Sequence, residues 1–150
     1  MTPAHPLADP RLLLGGWLLE RTIEDRRGDL DGVVEGRLEL AEEAPDRLRW
    51  EERATWLRPG GEVPVTRTLR VVRRGEGWWV LFEDGRDFHP WSPGDAVVHD
   101  CRSDTYRGVV TGSPASWSVT WEVTGPAKDY VMHTRLRPAR PGEGTSGPQQ

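Results

Sequence analysis

Between residues 116 and 124, Trp117, Val119, Trp121 and Val123 alternate with Ser116, Ser118, Thr120, Glu122 and Thr124. A period of two belongs to a strand with one face buried and the other in water. The same alternation recurs along most of the chain and predicts strands at about 16–26, 33–40, 47–57, 63–73, 77–84, 86–91, 96–101, 104–112, 116–124 and 128–137. Turn chemistry separates them, in "GDLDG", "RPGGE", "RRGEG", "EDGR", "SPGD" and "TGSP". A short helical turn is expected near residues 8–14. About ten short, regularly spaced strands predict an all-β fold, a single antiparallel up-and-down β-barrel. Residues 1–11 read as an N-terminal extension, 12–138 as the barrel and 139–150 as a tail. The tail, rich in Pro and Gly with no apolar face, is expected to be disordered.

Three charges break the alternation. Arg21 shares a face with Trp17, Leu19 and Ile23; Glu52 with Leu48, Trp50, Ala54 and Trp56; Arg67 with Val63, Val65, Leu69 and Val71. In a closed barrel these faces form the interior, which can hold a ligand. Burying an unpaired charge is costly, so the three pair with each other or with something bound. Two arginines and one glutamate leave a positive excess. One reading is an acidic ligand held by the Arg fork. The other is a structural Arg–Glu–Arg bridge, or a register bulge that returns one of the three to solvent.

A second polar concentration lies in "FEDGRDFHPW" and "VVHDCRSDTYRG". Val97, His99 and Cys101 share one face, and Asp104, Tyr106, Gly108 and Val110 one face of the next strand. His89, His99 and Tyr106 suit orientation of a ligand or acid–base chemistry. His89, His99, Cys101 and Asp104 are zinc-ligand types without the close paired spacing of zinc sites, so no metal is assigned. No GxSxG, P-loop, GxGxxG or HExxH pattern occurs.

Composition narrows the function classes. The net charge is −4, with basic and acidic residues interleaved, which argues against nucleic acid as a partner. The first apolar run is four residues long, too short for a signal peptide or membrane span, and Cys101 is the single cysteine. Together these predict a cytoplasmic protein with no membrane association. Eight tryptophans suggest more apolar surface than one small core uses, hence a possible homodimer. Of 20 basic side chains Lys128 is the only lysine, which marks a place where a compact ammonium suits better than a guanidinium. It stands at the entry to the last strand, positioned either for an anionic ligand or for a nearby carboxylate such as Asp129.

"GGW", with Gly15 two residues before Trp17, resembles the G-x-W opening of lipocalin and calycin barrels. That resemblance implies that Trp17 closes one end under a basic residue of the last strand, Arg135 or Arg137. Residues 12–137, through "ERTIEDR", "VTRTL", "GWWVLFEDGRDFHPW", "HDCRSDTYRG" and "WEVTGPAKDY", also resemble a family of bacterial and fungal domains of unknown function with a lipocalin-like barrel. This implies the fold but no substrate. A more distant similarity to haem-binding nitrobindin barrels places none of the four histidines on a haem-ligand position. The expected function is therefore binding of a small apolar and acidic ligand, without a cofactor, through Arg21, Glu52, Arg67, His89, His99, Tyr106 and Lys128. The alternatives are an isomerase, hydratase or decarboxylase of a small organic acid using His99 or Tyr106, a haem-binding barrel, or a partner-binding domain with a filled core.

Overall fold

The computed structural model describes residues 3–28 and 30–140. The expected tail falls almost wholly on residues 141–150, outside the described residues. Ten strands form one antiparallel sheet: β1 (Gly15–Asp25), β2 (Gly32–Ala44), β3 (Arg47–Arg58), β4 (Gly61–Arg74), β5 (Gly77–Phe82), β6 (Asp87–Pro90), β7 (Val97–Cys101), β8 (Asp104–Ser113), β9 (Ser116–Thr124) and β10 (Asp129–Pro138). Their order is β6-β5-β4-β3-β2-β1-β10-β9-β8-β7. Sequential strands are hydrogen-bonded neighbours throughout except β6 and β7. β1 pairs with β10, and β6 and β7 face one another as the two sheet edges, so the barrel is nearly closed with a seam.

The strands lie close to the expected ranges, with two instructive differences. β2 continues to Ala44 through a register shift between Glu42 and Ala44, where "AEEA" no longer alternates and its partner strand carries the pairing on. β5 stops at Phe82, because a turn closes there with Gly85 N–H donating to the Phe82 carbonyl and Phe82 N–H to that of Arg86.

Strand alternation builds the core. Leu19, Leu38, Leu48, Val71, Val80, Trp117, Val123 and Leu136 all turn inward and are buried. At two inward positions a neighbouring strand or ring leaves no room for a side chain, and these carry glycine. A Cβ on Gly108 would lie 2.6 Å from the Trp121 ring, and one on Gly36 would lie 2.4 Å from Ala54 Cα.

The two ends of the barrel differ. At one end the segment before β1 packs into the opening as a single-turn 3-10 helix (Pro10–Leu13) capped by Asp9, which accepts from Arg11 N–H. Leu7 and Leu13 are fully buried there, and their carbonyls accept from the indole N–H of Trp91 and Trp17 respectively, both at 2.8 Å. Trp117 meets Trp17 and Trp50 edge-to-face at 5.6 Å each, completing an aromatic plug. Arg135 and Arg137, the basic residues expected over Trp17, alternate along β10 with buried residues. Thr134 and Leu136 hold the inward positions of β10, so alternation turns both arginines to the exposed outer face. At the other end, among the hairpin turns β1–β2, β3–β4 and β9–β10, a rim of half-buried apolar residues includes Ile23, Ala54, Trp56, Val65, Tyr130 and Met132. Six of the eight tryptophans are buried in this single core, and Trp79 lies outside under the Arg74 guanidinium.

Candidate functional site

The inward charges meet one layer below the open rim. Register pairs Arg21 with Thr134 and Glu52 with Arg67; two residues nearer the rim it pairs Ile23 with Met132 and Ala54 with Val65. Arg21 donates from Nε to Thr134 Oγ1 at 2.7 Å and from a terminal nitrogen to Glu52 Oε1 at 3.0 Å. Arg67 donates to Glu52 Oε2 at 3.0 Å, and Trp50 Nε1 donates to the same oxygen at 2.9 Å. The Arg–Glu–Arg bridge allowed by the strand pattern thus exists, in the wall of the lumen.

Its electrostatics are unequal. Glu52 is only 4% exposed, and burial pushes its carboxyl up, but Arg67 and Arg21 outweigh that and hold it at about 2. It is therefore ionised at neutral pH, and the cluster carries one net positive charge. That excess is on the open side: the Arg67 side chain is 36% exposed against 13% for Arg21. Arg67 Nε–H is buried and has no partner.

Arg21, Glu52, Arg67, Thr134 and His89 line one cavity whose remaining wall is apolar: Trp50, Leu69, Val80, Phe88, Trp91, Val110, Val119, Trp121, Met132 and Leu136. The cavity is small, with about 20 Å³ open to the centre of a water molecule, room for about one water.

His89 occupies the wall beside the seam. Its residue is 6% exposed, and its Nδ1 lies 2.7 Å from the Pro90 carbonyl. A carbonyl oxygen only accepts, so Nδ1 carries the hydrogen and Nε2 presents a lone pair. Burial pushes His89 down to about 4; the bond to Pro90 opposes this, and the charges of Arg67 and His99 add to it. The ring is neutral at pH 7. Phe88 stacks on Trp121 at 5.1 Å, and His89 meets Phe88 edge-on at 4.7 Å. Across the seam His99 packs against Phe82 and Phe88 at 5.4 and 5.2 Å.

Tyr106 and Lys128 form a separate cluster at the rim. Lys128 Nζ donates to Tyr106 Oη and pairs with Asp104 Oδ2, both at 3.0 Å. These bonds, Tyr106 first, raise the Lys128 ammonium above the ordinary lysine range despite some burial. Asp129, offered from sequence as its neighbour, instead pairs with Arg26. Gly125 makes the cluster possible, since a Cβ there would lie 2.0 Å from Asp104 Oδ1.

Of the seven residues singled out from sequence, Arg21, Glu52, Arg67 and His89 share the cavity, His99 stands behind Phe88, and Tyr106 and Lys128 belong to the rim. Sequence reasoning missed Thr134 and Trp50 as partners. Thr134 was detectable as the polar exception between Met132 and Leu136, and Trp50 lies two residues from Glu52 on its face. Cys101 is exposed. Among the described residues no three His, Cys, Asp or Glu side chains converge as metal ligands. Haem does not fit: Trp121, Phe88 and Trp91 occupy the lumen, and the space left is far below a porphyrin's. No helix among the described residues is long and apolar enough to cross a membrane.

Residues 13–138 match the model of DUF6314, described as a family of unknown function. No curated protein matches the chain. Among solved structures, the S-type phycobiliprotein lyase CPES from Guillardia theta aligns with a TM-score of 0.55 at 9% identity, over 84% of this chain and 86% of that one. EF1p2_mFAP2b bound to DFHBI aligns with a TM-score of 0.50 at 12% identity, over 89% of this chain and 98% of that one. At these identities the likeness is one of fold.

Proposed function

Because the chain belongs to the DUF6314 family, a family of unknown function, we propose its role from its own lumen: it is a cytoplasmic binding module for a small molecule with an apolar body and an acidic group. The observation that carries this reading is the net positive Arg21–Glu52–Arg67 cluster, with a buried, unpartnered Arg67 Nε–H beneath an apolar rim. A bridge of one carboxylate and two guanidiniums leaves one positive charge uncompensated at the mouth of an apolar lumen, and an anionic ligand would compensate it. The carboxylate or phosphate of the ligand meets Arg67, its body lies against Ile23, Val65 and Met132, and aromatic neighbours such as Trp50 and Trp121 favour a planar ring. EF1p2_mFAP2b with DFHBI is a barrel of this general shape holding a small molecule, which supports the reading only by analogy of fold. An exposed, unpaired Cys101 suits a reducing compartment. His89, held neutral to about pH 4, is a weak base near neutrality, which favours orientation of a ligand over proton abstraction.

Fluorescence titration with phenylacetate and its uncharged isostere phenylacetamide tests the reading. The acid is expected to bind at least about tenfold tighter, as charge-assisted hydrogen bonds are about twice as strong as neutral ones. Arg67→Leu should abolish that preference in a protein that still melts cooperatively. Equal binding of acid and amide to the wild type would overturn the proposal.

A further inference from the structure

The barrel wall is not the same height all round. β4 pairs with β3 along residues 61–72 but with β5 only along 69–74, because β5 ends at Phe82, opposite Leu69, and the chain turns back into β6. On that side residues 61–68 of β4 have no ladder partner among the described residues. Glu62 and Pro64 stand on this free edge. A charge and a residue without an N–H both discourage another strand from pairing there, so the edge stays open. β7 stands across from it: His99 meets Phe82 at 5.4 Å, which puts it level with Leu69. Two residues nearer the rim, the same inward faces present Arg67 on β4 and Cys101 on β7, with no strand between them among the described residues. The exposed turn at residues 83–86 forms the floor of this gap, its Arg86 guanidinium lying over the Phe82 ring, 5.3 Å from the ring centre.

Such a notch accounts for the unequal exposure of two arginines in one layer. Arg21 lies on a strand hydrogen-bonded on both sides, and its side chain is 13% exposed; Arg67 lies at the free edge and is 36% exposed, with Val63 beyond it at 39%. Along the barrel axis the way to the charged layer passes Ile23, Ala54, Trp56 and Met132, half-buried apolar side chains among which a carboxylate sheds its water before it meets a cation. At the notch Arg67 is itself in contact with water. We propose that the notch is a lateral entrance: a small carboxylate reaches Arg67 through the low side of the rim, between β4 and β7, and its apolar body then turns inward along Val65. This rests on the acid-binding reading and adds the route that a ligand takes.

Cys101, exposed and the single cysteine, supplies a handle for the test on the full chain. A triphenylmethyl thiosulfonate places a bulky, rigid group there through a disulfide that dithiothreitol removes. The same group on Arg27→Cys, in a Cys101→Ser background, stands on the β1–β2 turn at the opposite side of the axial mouth. Stopped-flow tryptophan fluorescence then reads the association rate of phenylacetate. The group on Cys101 is expected to slow association at least about tenfold and the group at position 27 less than about twofold, and dithiothreitol should restore the unmodified rate. An unchanged rate with Cys101 blocked, equal slowing at both positions, or slowing at position 27 alone would overturn the lateral entrance and leave the acid-binding reading in place. Slowing that dithiothreitol does not reverse would overturn it as well, since the protein and not the passage has then been altered. No binding of phenylacetate to the unmodified protein would overturn both readings.

Discussion

Glu52 is the residue on which the interior charge depends. It accepts from Arg21, Arg67 and Trp50 at once, so its removal leaves two guanidiniums and an indole N–H without their acceptor. Glu52→Gln should lower stability by about 3–5 kcal/mol, the usual cost of breaking a buried pair from one side, read as a fall in the urea midpoint at unchanged slope. His89 adds a pH dependence of definite sign. Its folded-state pKa of about 4 lies below the ordinary 6.5, so between those values the unfolded chain binds a proton that the folded one refuses. Stability is complete above 6.5 and falls as pH drops toward 4, by about 1.4 kcal/mol per unit inside that window. Burial against Phe88 and Trp121 is the main cause; the Pro90 carbonyl opposes it, and the charges of Arg67 and His99 add to it. Thermal melts from pH 7 to 4 should show the slope in the wild type and a shallower one in His89→Gln. Glu52 acts lower, its contribution being lost only as pH falls from 4.5 toward 2.

At the scale of the strand, alternation carried most of the legible information. It put Arg21, Glu52 and Arg67 inside because a side-chain period of two needs no knowledge of the partner strand. Which inward groups meet is a different matter. Arg21 and Thr134 are 113 positions apart and come together only because β1 pairs with β10 in one register. Lys128 shows the same limit: its place at a strand entry was readable, but Asp104 and Tyr106 reach it only through the alignment of β8, β9 and β10. His89 was visible as a residue, whereas its tautomer required the Pro90 carbonyl in position. Gly108 was visible as an inward position without a side chain, and the structure supplies the reason in the Trp121 ring above it. Gly108→Val should therefore displace Trp121, whose ring stacks on Phe88, and destabilise by about 1–3 kcal/mol, the usual cost of overpacking. Near-ultraviolet circular dichroism of the tryptophans, followed with a urea titration, would check both parts.

At the scale of the whole molecule the two ends of the barrel are built differently. The aromatic plug of Trp17, Trp50, Trp91 and Trp117 closes one end with rigid, buried rings, leaving the rim of Ile23, Trp56, Val65 and Met132 as the approach to the charged layer. Of the three charges in that layer, Arg67 is the most exposed. The seam has a further meaning. The sheet runs without a break from β7 through β10, across to β1 and on to β6, so its physical ends are β7 and β6, although the first and last strands in sequence, β1 and β10, pair at its centre. The backbone N–H of Ala139 donates to the Gly16 carbonyl, so the residue after β10 is held beside the start of β1. In topological terms the barrel is a linear ten-strand ladder whose chain has been circularly permuted: cut between Pro90 and Val97 and joined from β10 to the segment before β1, every strand would keep its neighbours and the sequence order would become the spatial order.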